Sequence, residues 1–342
     1  MNGQLGHDVV KELLRRGHAA IGSGSGHEYK GVNDLKVFVT GVGGQLGHDV
    51  VNHLINKNHE AIGTDIAEQY SGVNDGSAVV SAPYVQLDIT DEKAVREAVE
   101  KIHPDAIIHC AAWTNVDGAE AEENREKVKS INADGTRYIA EAAKAVDAKM
   151  LYLSTDYVFN GQGTFPWKPE DKNYAPLNVY GRSKLDGEQA GADVLEKFFI
   201  VRIAWVFGRN GSNFVRTILR IGKDRDFVTV VDDQIGTPTY TPDLSRLLAD
   251  MIETDIYGYY HATNSESSPG EFISWYDFCC ELYRQYGLKT SVIPVSTAEY
   301  GLSKAARPFN SRLDKSKLTA AGFKALPAWQ DAVSRYLKEA HL

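Results

Sequence analysis

The tightest constraint on the fold lies between Val37 and Asp65, where a strand, a glycine turn, a helix and a second strand follow one another. Val37-Phe38-Val39 is a short apolar run of strand type. Thr40-Gly41-Val42-Gly43-Gly44-Gln45-Leu46-Gly47 follows it, and Val50, Val51, Leu54 and Ile55 then recur at helical spacing. The glycines, spaced G-x-x-G-x-x-G, have separate tasks in such a unit. Gly41 makes the tight turn, Gly44 lets backbone approach a pyrophosphate, and Gly47 lets the helix pack on the strand, so that the phosphates meet the helix N-terminus at Gln45 and Leu46. Glu60-Ala61-Ile62-Gly63-Thr64-Asp65 reads as a second strand ending in a carboxylate suited to ribose hydroxyls. A glycine cluster alone is weak evidence, but this order of elements predicts a dinucleotide site. No Lys or Arg directly follows Asp65 to neutralise a ribose phosphate, which favours NADH sterically and leaves NADPH open. The structural alternative is that Asp65 only caps a turn.

The alternation continues. Tyr84 to Leu87 is a strand running into Asp88-Ile89, Ala94 to Ile102 is helical, and Ala106 to His109 is a buried strand leading to Cys110-Ala111-Ala112. A helix covers about Arg125 to Ala145, and Met150 to Leu153 and Phe198 to Ile203 are further strands. Strands separated by helices of this length imply an α/β protein with a Rossmann-type, doubly wound parallel sheet and a ligand crevice at the strands' carboxyl ends. There Asp88 could bond an adenine amine and Ile89 pack on the ring, unless Asp88 or Thr90 serves as a helix cap. From about Gly208 the pattern changes to loops and aromatic-rich helices. The predicted division is a dinucleotide-binding domain over 36–207, with 240–262 returning to it, and a smaller α/β substrate domain over 208–239 and 263–342. Trp275, Tyr276, Phe278, Tyr283 and Tyr286 are expected to be core.

Residues 1–35 form a partial duplicate of the first unit: Gly3 to Val10 repeats as Gly44 to Val51. Two copies are too few for a solenoid. The first copy lacks the strand before its glycines and carries Ser23-Gly24-Ser25-Gly26 where the second has Thr64-Asp65-Ile66-Ala67, so it is expected to be an extra arm or an appended segment. A sharper possibility is that it competes with the second copy for one helix slot.

A net charge of −9 disfavours nucleic acid as a partner. Three cysteines, Cys110, Cys279 and Cys280, fit neither a disulfide scaffold nor a zinc site, and the ten histidines form no metal motif. No run is long and apolar enough to span a membrane and the N-terminus lacks a signal-peptide core, so a cytoplasmic protein is expected.

Leu153-Ser154-Thr155-Asp156-Tyr157 sits where a strand ends, and Tyr180-Gly181-Arg182-Ser183-Lys184 opens a helix after a Pro-rich loop. Four residues of helix set Lys184 one turn from Tyr180, where its ammonium could lower the phenol pKa and reach a nicotinamide ribose. Tyr180 would then be a general acid, and Thr155 would hydrogen-bond a carbonyl oxygen that gains charge. Tyr-x-x-x-Lys is nearly uninformative alone among 17 tyrosines: Tyr300 and Lys304 repeat it. Tyr300 lies beyond the sheet strands with no strand-end Ser or Thr shortly before it, so position selects Tyr180.

These segments, with Cys110 to Thr114 and Asn132 to Thr136, resemble the extended short-chain dehydrogenase/reductase family. Val201 to Phe207, Asn213-Phe214, Asp232 to Thr239 and Arg307 to Leu313 resemble, more narrowly, the dTDP-4-dehydrorhamnose reductases, over residues 36 to about 340. The resemblance implies Thr155, Tyr180 and Lys184 as catalytic residues and NADPH or NADH as cofactor. It implies the reduction of dTDP-4-dehydro-L-rhamnose at C4 to dTDP-L-rhamnose, the last step of dTDP-rhamnose biosynthesis, with Thr114, Asp156, Trp205, Asn213 and Arg307 toward the dTDP-sugar. Related dehydratases carry an Asp-Glu pair after the strand-end Thr; here Asp156 is followed by Tyr157, which leaves plain carbonyl reduction. Some relatives form dimers through a metal held partly by a Glu after a late Trp. Here Gln330 follows Trp329, so a monomer or weak homodimer without a bound metal is expected. Two alternatives stay open: reduction of another 4-keto sugar nucleotide, and a non-catalytic dinucleotide-binding regulatory subunit like that of methionine adenosyltransferase.

Overall fold

The computed structural model describes residues 34–70, 82–268 and 270–339; the duplicate assigned to 1–35 lies, but for its last two residues, outside them. Seven parallel strands make the central sheet: β1 (Lys36–Thr40), β2 (Glu60–Asp65), β3 (Tyr84–Gln86), β4 (Ala106–His109), β5 (Lys149–Thr155), β6 (Phe198–Ile203) and β7 (Gly258–His261). Their spatial order, β7-β6-β5-β4-β1-β2-β3, reverses direction between β1 and β4, the switch point where a doubly wound sheet opens a crevice. The six strands foreseen from apolar runs are all present, and the α/β parallel-sheet fold is as expected. β7 was not foreseen as a strand: Gly258-Tyr259-Tyr260-His261 has no aliphatic run, and only its register against Phe199 to Arg202 of β6 makes it one.

Helices cover both faces, as the near-continuous apolar strands require. On one face lie α1 (Gln45–Asn56) and, from far along the chain, α6 (Thr241–Ile252). Val50, Val51 and Leu54 of the first meet Leu244, Leu248 and Met251 of the second over Val37, Val39, Ile108 and Leu151 of the sheet. The other face carries α2 (Glu92–Ile102), α3 (125–145) and α4 (Val179–Val194), with Val95, Val99, Ile139 and Ala143 set on Phe38, Ile107, Met150 and Tyr152. Helix α3 runs through Arg125–Lys129, a π-helical turn Ser130–Asp134 and Gly135–Ala145, so the single predicted helix is there with a bulge in it. Such bulges favour functional positions.

Between β6 and α6, and again after β7, the chain builds a second lobe from helices α5 (Phe214–Lys223), α7 (Trp275–Tyr286) and α8 (Trp329–Glu339) and from two-stranded pairs, the longest joining Phe227–Val231 to Ser291–Val295 in parallel. Phe207, Tyr240, Phe278, Leu282, Trp329 and Tyr336 are its core. Among the described residues no helix is long and apolar enough to cross a membrane, and no group of three or more His, Cys, Asp or Glu side chains is placed to hold a metal ion.

Candidate active site

A cleft of about 1230 Å³ runs along the carboxyl ends of β1 to β6, larger than a drug-sized pocket and long enough for a dinucleotide beside a second ligand. Its first wall is the glycine turn. Gly41 has φ 72°, a backbone that side chains rarely adopt, and a Cβ there would lie 2.6 Å from Ala111 N. A Cβ on Gly47 would lie 2.3 Å from Gly41 O, so α1 touches the turn only because position 47 is bare. Gly44, where a Cβ would lie a milder 3.2 Å from Gly41 O, faces the cleft, with Gln45 and Leu46 opening the helix beside it.

Asp65 both lines the cleft and braces this turn: its carboxylate accepts from Gly43 N at 2.9 Å and from Ile66 N at 2.8 Å. Asp88 and Ile89 also line it. Asp88 accepts from the backbone and hydroxyl of Thr90, while the cap of α2 is Asp91, which accepts from Ala94 N, rather than Asp88 or Thr90. Ala111, Ala112 and Thr114 continue the wall past β4.

Behind Ala111 the hydrogen bonds have one consistent direction. Thr136 donates to Asn132 O, so its oxygen accepts from His109 Nε2; His109 Nδ1 then accepts from Thr40, whose oxygen takes the Ala111 N–H. Burial drives the His109 pKa down to about 3, in keeping with a neutral ring in this chain. Asn132, in the π-turn, accepts from Trp113 N and donates to Trp113 O and to Ser183, fastening the β4 end to the helix that carries Tyr180.

Thr155 ends β5; Tyr180 and Lys184 stand one turn apart on α4, and all three line the deep end of the cleft. Helix α4 starts where Asn178 accepts from Gly181 N, and it is anchored by a buried ion pair, Glu188 with Arg202 of β6 at 2.7 Å. Removing one partner of such a pair typically costs ~3–5 kcal/mol, because the other charge is left buried. Thr155 donates to Asp156 at 3.0 Å and accepts from Tyr157 N at 3.2 Å. Burial raises the Asp156 pKa to about 6 against hydrogen bonds from Ser311 and Thr155, and lowers that of Lys184 to about 7 against the attraction of Glu188.

The expected depression of the Tyr180 phenol by Lys184 is not found. Burial, and then the Asp156 carboxylate, push it above its ordinary range, with hydrogen bonding to Thr155 working the other way. The Lys184 ammonium lies instead over the Tyr152 ring.

On the opposite wall Trp205 takes φ 51°, a strained backbone for so large a side chain, and stacks on Trp275 with ring centroids 4.0 Å apart. Trp275 therefore lines the cleft, against the expectation of a core role, whereas Phe278 and Tyr283 are core as expected. Asn213 lines the cleft, caps α5 and bonds Gln45. Arg307 stands outside the lining: it pairs with Asp117 at 2.6 Å and donates to the Tyr157 hydroxyl at 3.3 Å, so its guanidinium is already occupied. Tyr300 ends a four-residue helix away from the cleft, without Lys304 a turn beyond it.

A family model described as the RmlD substrate binding domain matches residues 35–342. The dTDP-4-dehydrorhamnose reductase of Streptomyces griseus is 40% identical over 265 residues, 76% of this chain and 84% of that relative. The chain belongs to the dTDP-4-dehydrorhamnose reductase family. The crystal structure of the reductase from Bacillus anthracis, in complex with NADP, superposes with a TM-score of 0.78 at 37% identity, over 90% of this chain and 99% of that one. A dTDP-4-keto-6-deoxy-D-glucose reductase of Streptomyces niveus is 35% identical over 258 residues, 75% of this chain and 87% of that relative. Membership makes the chain an NAD(P)-dependent oxidoreductase of 4-keto sugar nucleotides.

For a reductase of this family, the sequence missed four groups that build the cleft. Tyr157 packs edge-on against Tyr180 with ring centroids 5.8 Å apart. Trp275 backs Trp205, Lys127 of α3 reaches the rim, and Asn210 clamps the glycine turn by donating to Gly43 O and Gly44 O at 2.9 and 3.0 Å. Tyr157 could have been found from its place directly after Thr155-Asp156. The other three are brought in from distant segments and leave no local signal.

Proposed function

We propose that the chain reduces dTDP-4-dehydro-L-rhamnose at C4 to dTDP-L-rhamnose, with Tyr180, Thr155 and Lys184 as its catalytic residues. The observation that carries this reading is the meeting of Thr155, Tyr180 and Lys184 at one end of a cleft whose other end is a glycine turn with an acidic strand end. The residues fit a nicotinamide dinucleotide: the helix N-terminus at Gln45 is open to the cleft, and Thr64 Oγ1 and Ser154 Oγ, buried on its walls, have no hydrogen-bond partner among the described residues. Gly41, Gly44, Gln45, Leu46 and Gly47 would hold the pyrophosphate, Asp65 the adenosine ribose, Asp88 and Ile89 the adenine, and Ala111 and Ala112 the backbone between. NADH or NADPH, when bound, supplies a hydride.

The chain's own residues do the rest. With substrate bound, Thr155 would turn its hydroxyl from Asp156 to the substrate carbonyl oxygen, and Tyr180 delivers the proton to that oxygen as charge develops on it. A phenol held above its ordinary pKa is fully protonated at neutral pH and so ready to donate. Lys184 binds ribose hydroxyls and, as an ammonium, stabilises the tyrosinate left behind. Residues 36–207 and 240–262 would bind the dinucleotide, and 208–239 and 263–339 would shape the sugar side, with Trp205, Asn213, Thr114 and Asp156 at the substrate. Arg307 has its charge committed to Asp117; we assign it to the support of Tyr157.

A second substrate has a specific claim, since a relative of comparable identity carries the name dTDP-4-keto-6-deoxy-D-glucose reductase. The test is oxidation of NADH and NADPH with each of the two keto sugars, with identification of the product, beside Tyr180→Phe. Turnover to dTDP-L-rhamnose, lost in the variant, supports the reading. Turnover of the other sugar alone moves the assignment to it, and cofactor binding without turnover of either favours the regulatory alternative.

A further inference from the structure

Tyr152 lies in the middle of β5, wholly buried, and both ends of its side chain address Lys184. Its hydroxyl donates to Lys184 O at 3.2 Å, and its ring lies under the Lys184 ammonium, 4.1 Å from Nζ to the centroid. The His109 ring stacks alongside at 5.8 Å and 23°. A leucine would fill such a strand position without a hydroxyl to satisfy, so packing alone does not ask for this residue.

We propose that Tyr152 is a positioning residue for Lys184, its π face holding the ammonium at the cleft floor in the charged form that the reaction uses. The inference rests on the role given to Lys184 under Proposed function. An aromatic face is the negative end of the ring quadrupole and attracts a cation most strongly where water is excluded. The competing partners are few. Glu188, four residues on along α4, attracts the ammonium through space but makes no contact with it, both carboxylate oxygens being committed to Arg202 at 2.8 and 2.7 Å. Cys110, beyond the end of β4, is held as a thiol by burial, which pushes it up to about 12, and His109 is neutral. Tyr180, on the same helix, is a protonated phenol at neutral pH. Among the described residues Lys184 Nζ makes no hydrogen bond or ion pair, which leaves the ring as its close contact. Burial acts against the charge and brings Lys184 down to about 7, so a modest attraction decides its state at neutral pH.

The test separates ring electrostatics from shape. Position 152 receives phenylalanine, then phenylalanines carrying one, two and five ring fluorines, in the full chain, with Tyr152→Leu and Lys184→Met alongside. Fluorine withdraws density from the π face at nearly constant volume. The expected result is that Tyr152→Phe keeps the parent's pH profile. The basic limb of kcat then moves to lower pH with each fluorination step, by roughly one unit in all, and Tyr152→Leu resembles the most fluorinated ring. NADH affinity, measured by fluorescence titration near neutral pH, weakens in the same order by up to about tenfold. A flat fluorination series overturns the proposal, and so does a Tyr152→Phe profile already displaced. Should Tyr152→Leu fail to fold, the fluorinated series still decides. A flat series with Lys184→Met inactive removes only the role of Tyr152; Lys184→Met turning over like the parent removes the assignment of Lys184 itself.

Discussion

At the Tyr180 end of the cleft Asp156 and Lys184 are buried and their pKa values have been driven toward one another, to about 6 and about 7, whereas at the Asp65 end the carboxylates of Asp65 and Asp88 stand at or near the surface. The two ends also spend their hydrogen bonds differently. The charged groups Asp65 and Asp88 bond backbone within their own turns or the neighbouring one, while Lys184 Nζ at the deep end has no such partner among the described residues. Screening by water makes the outer end a place for selectivity; the deep end, poor in water, makes each proton and charge count in the rate. Substitutions at the two ends are therefore expected to differ in kind as well as in size.

The largest effect is expected from Tyr180→Phe. Removing the proton donor while keeping the ring should lower kcat by ~10²–10⁴-fold and leave the NADH dissociation constant nearly unchanged. Equal losses in both would mean that the ring, rather than the hydroxyl, is what matters there. Next comes Asp156→Asn, read as stability against pH. The folded-state pKa of Asp156 is raised from 3.8 to about 6 by burial, so between those values the native chain holds more protons than the unfolded one. Stability then falls as pH rises through that window, and the penalty is complete above about pH 6. Asparagine has no such penalty. The variant's advantage in urea unfolding should grow from near zero below about pH 4 to as much as ~3 kcal/mol above about pH 6. A gap independent of pH would show that Asp156 is not strained by its charge.

How much of this contrast could be read beforehand follows from the range of the contacts. The six strands, the glycine turn, Asp65 and the Tyr180–Lys184 turn are set by local period and spacing, and each lies where the sequence places it. The deep end's electrostatics were misjudged for Tyr180 because the dominant influence is burial, followed by Asp156, 24 residues earlier, and both are set by how the sheet packs rather than by local spacing. The sequence places Arg307 toward the dTDP-sugar without its tie to Asp117, because that partner is 190 residues away. Trp275 looked like core at its place on an amphipathic helix, and only its stack on Trp205, itself in a strained backbone, puts it in the cleft. The second lobe was hard to read for the same reason, since its short two-stranded pairs join segments with no shared period.

At the outer end Asp65→Ser should alter preference more than rate. Its carboxylate sits where a ribose phosphate would come, and the variant should favour NADPH over NADH by about tenfold relative to the parent, ~1.4 kcal/mol in the ratio of kcat/KM values. An unchanged ratio would mean that Asp65 serves the glycine turn through Gly43 alone.

Asp88→Asn should give the smallest change. Asp88 is exposed, and the bonds it accepts from Thr90 N and Oγ1 can equally be accepted by an asparagine side-chain oxygen, so the turn before α2 is kept and its cap, Asp91, is untouched. An adenine amine would also find an acceptor there. KM for NADH should therefore rise less than about threefold, below ~0.7 kcal/mol, with kcat unaltered. A loss as large as that of Asp65→Ser would show that the charge at position 88, and not merely its oxygen, is used. The outer end would then share the deep end's dependence on charge.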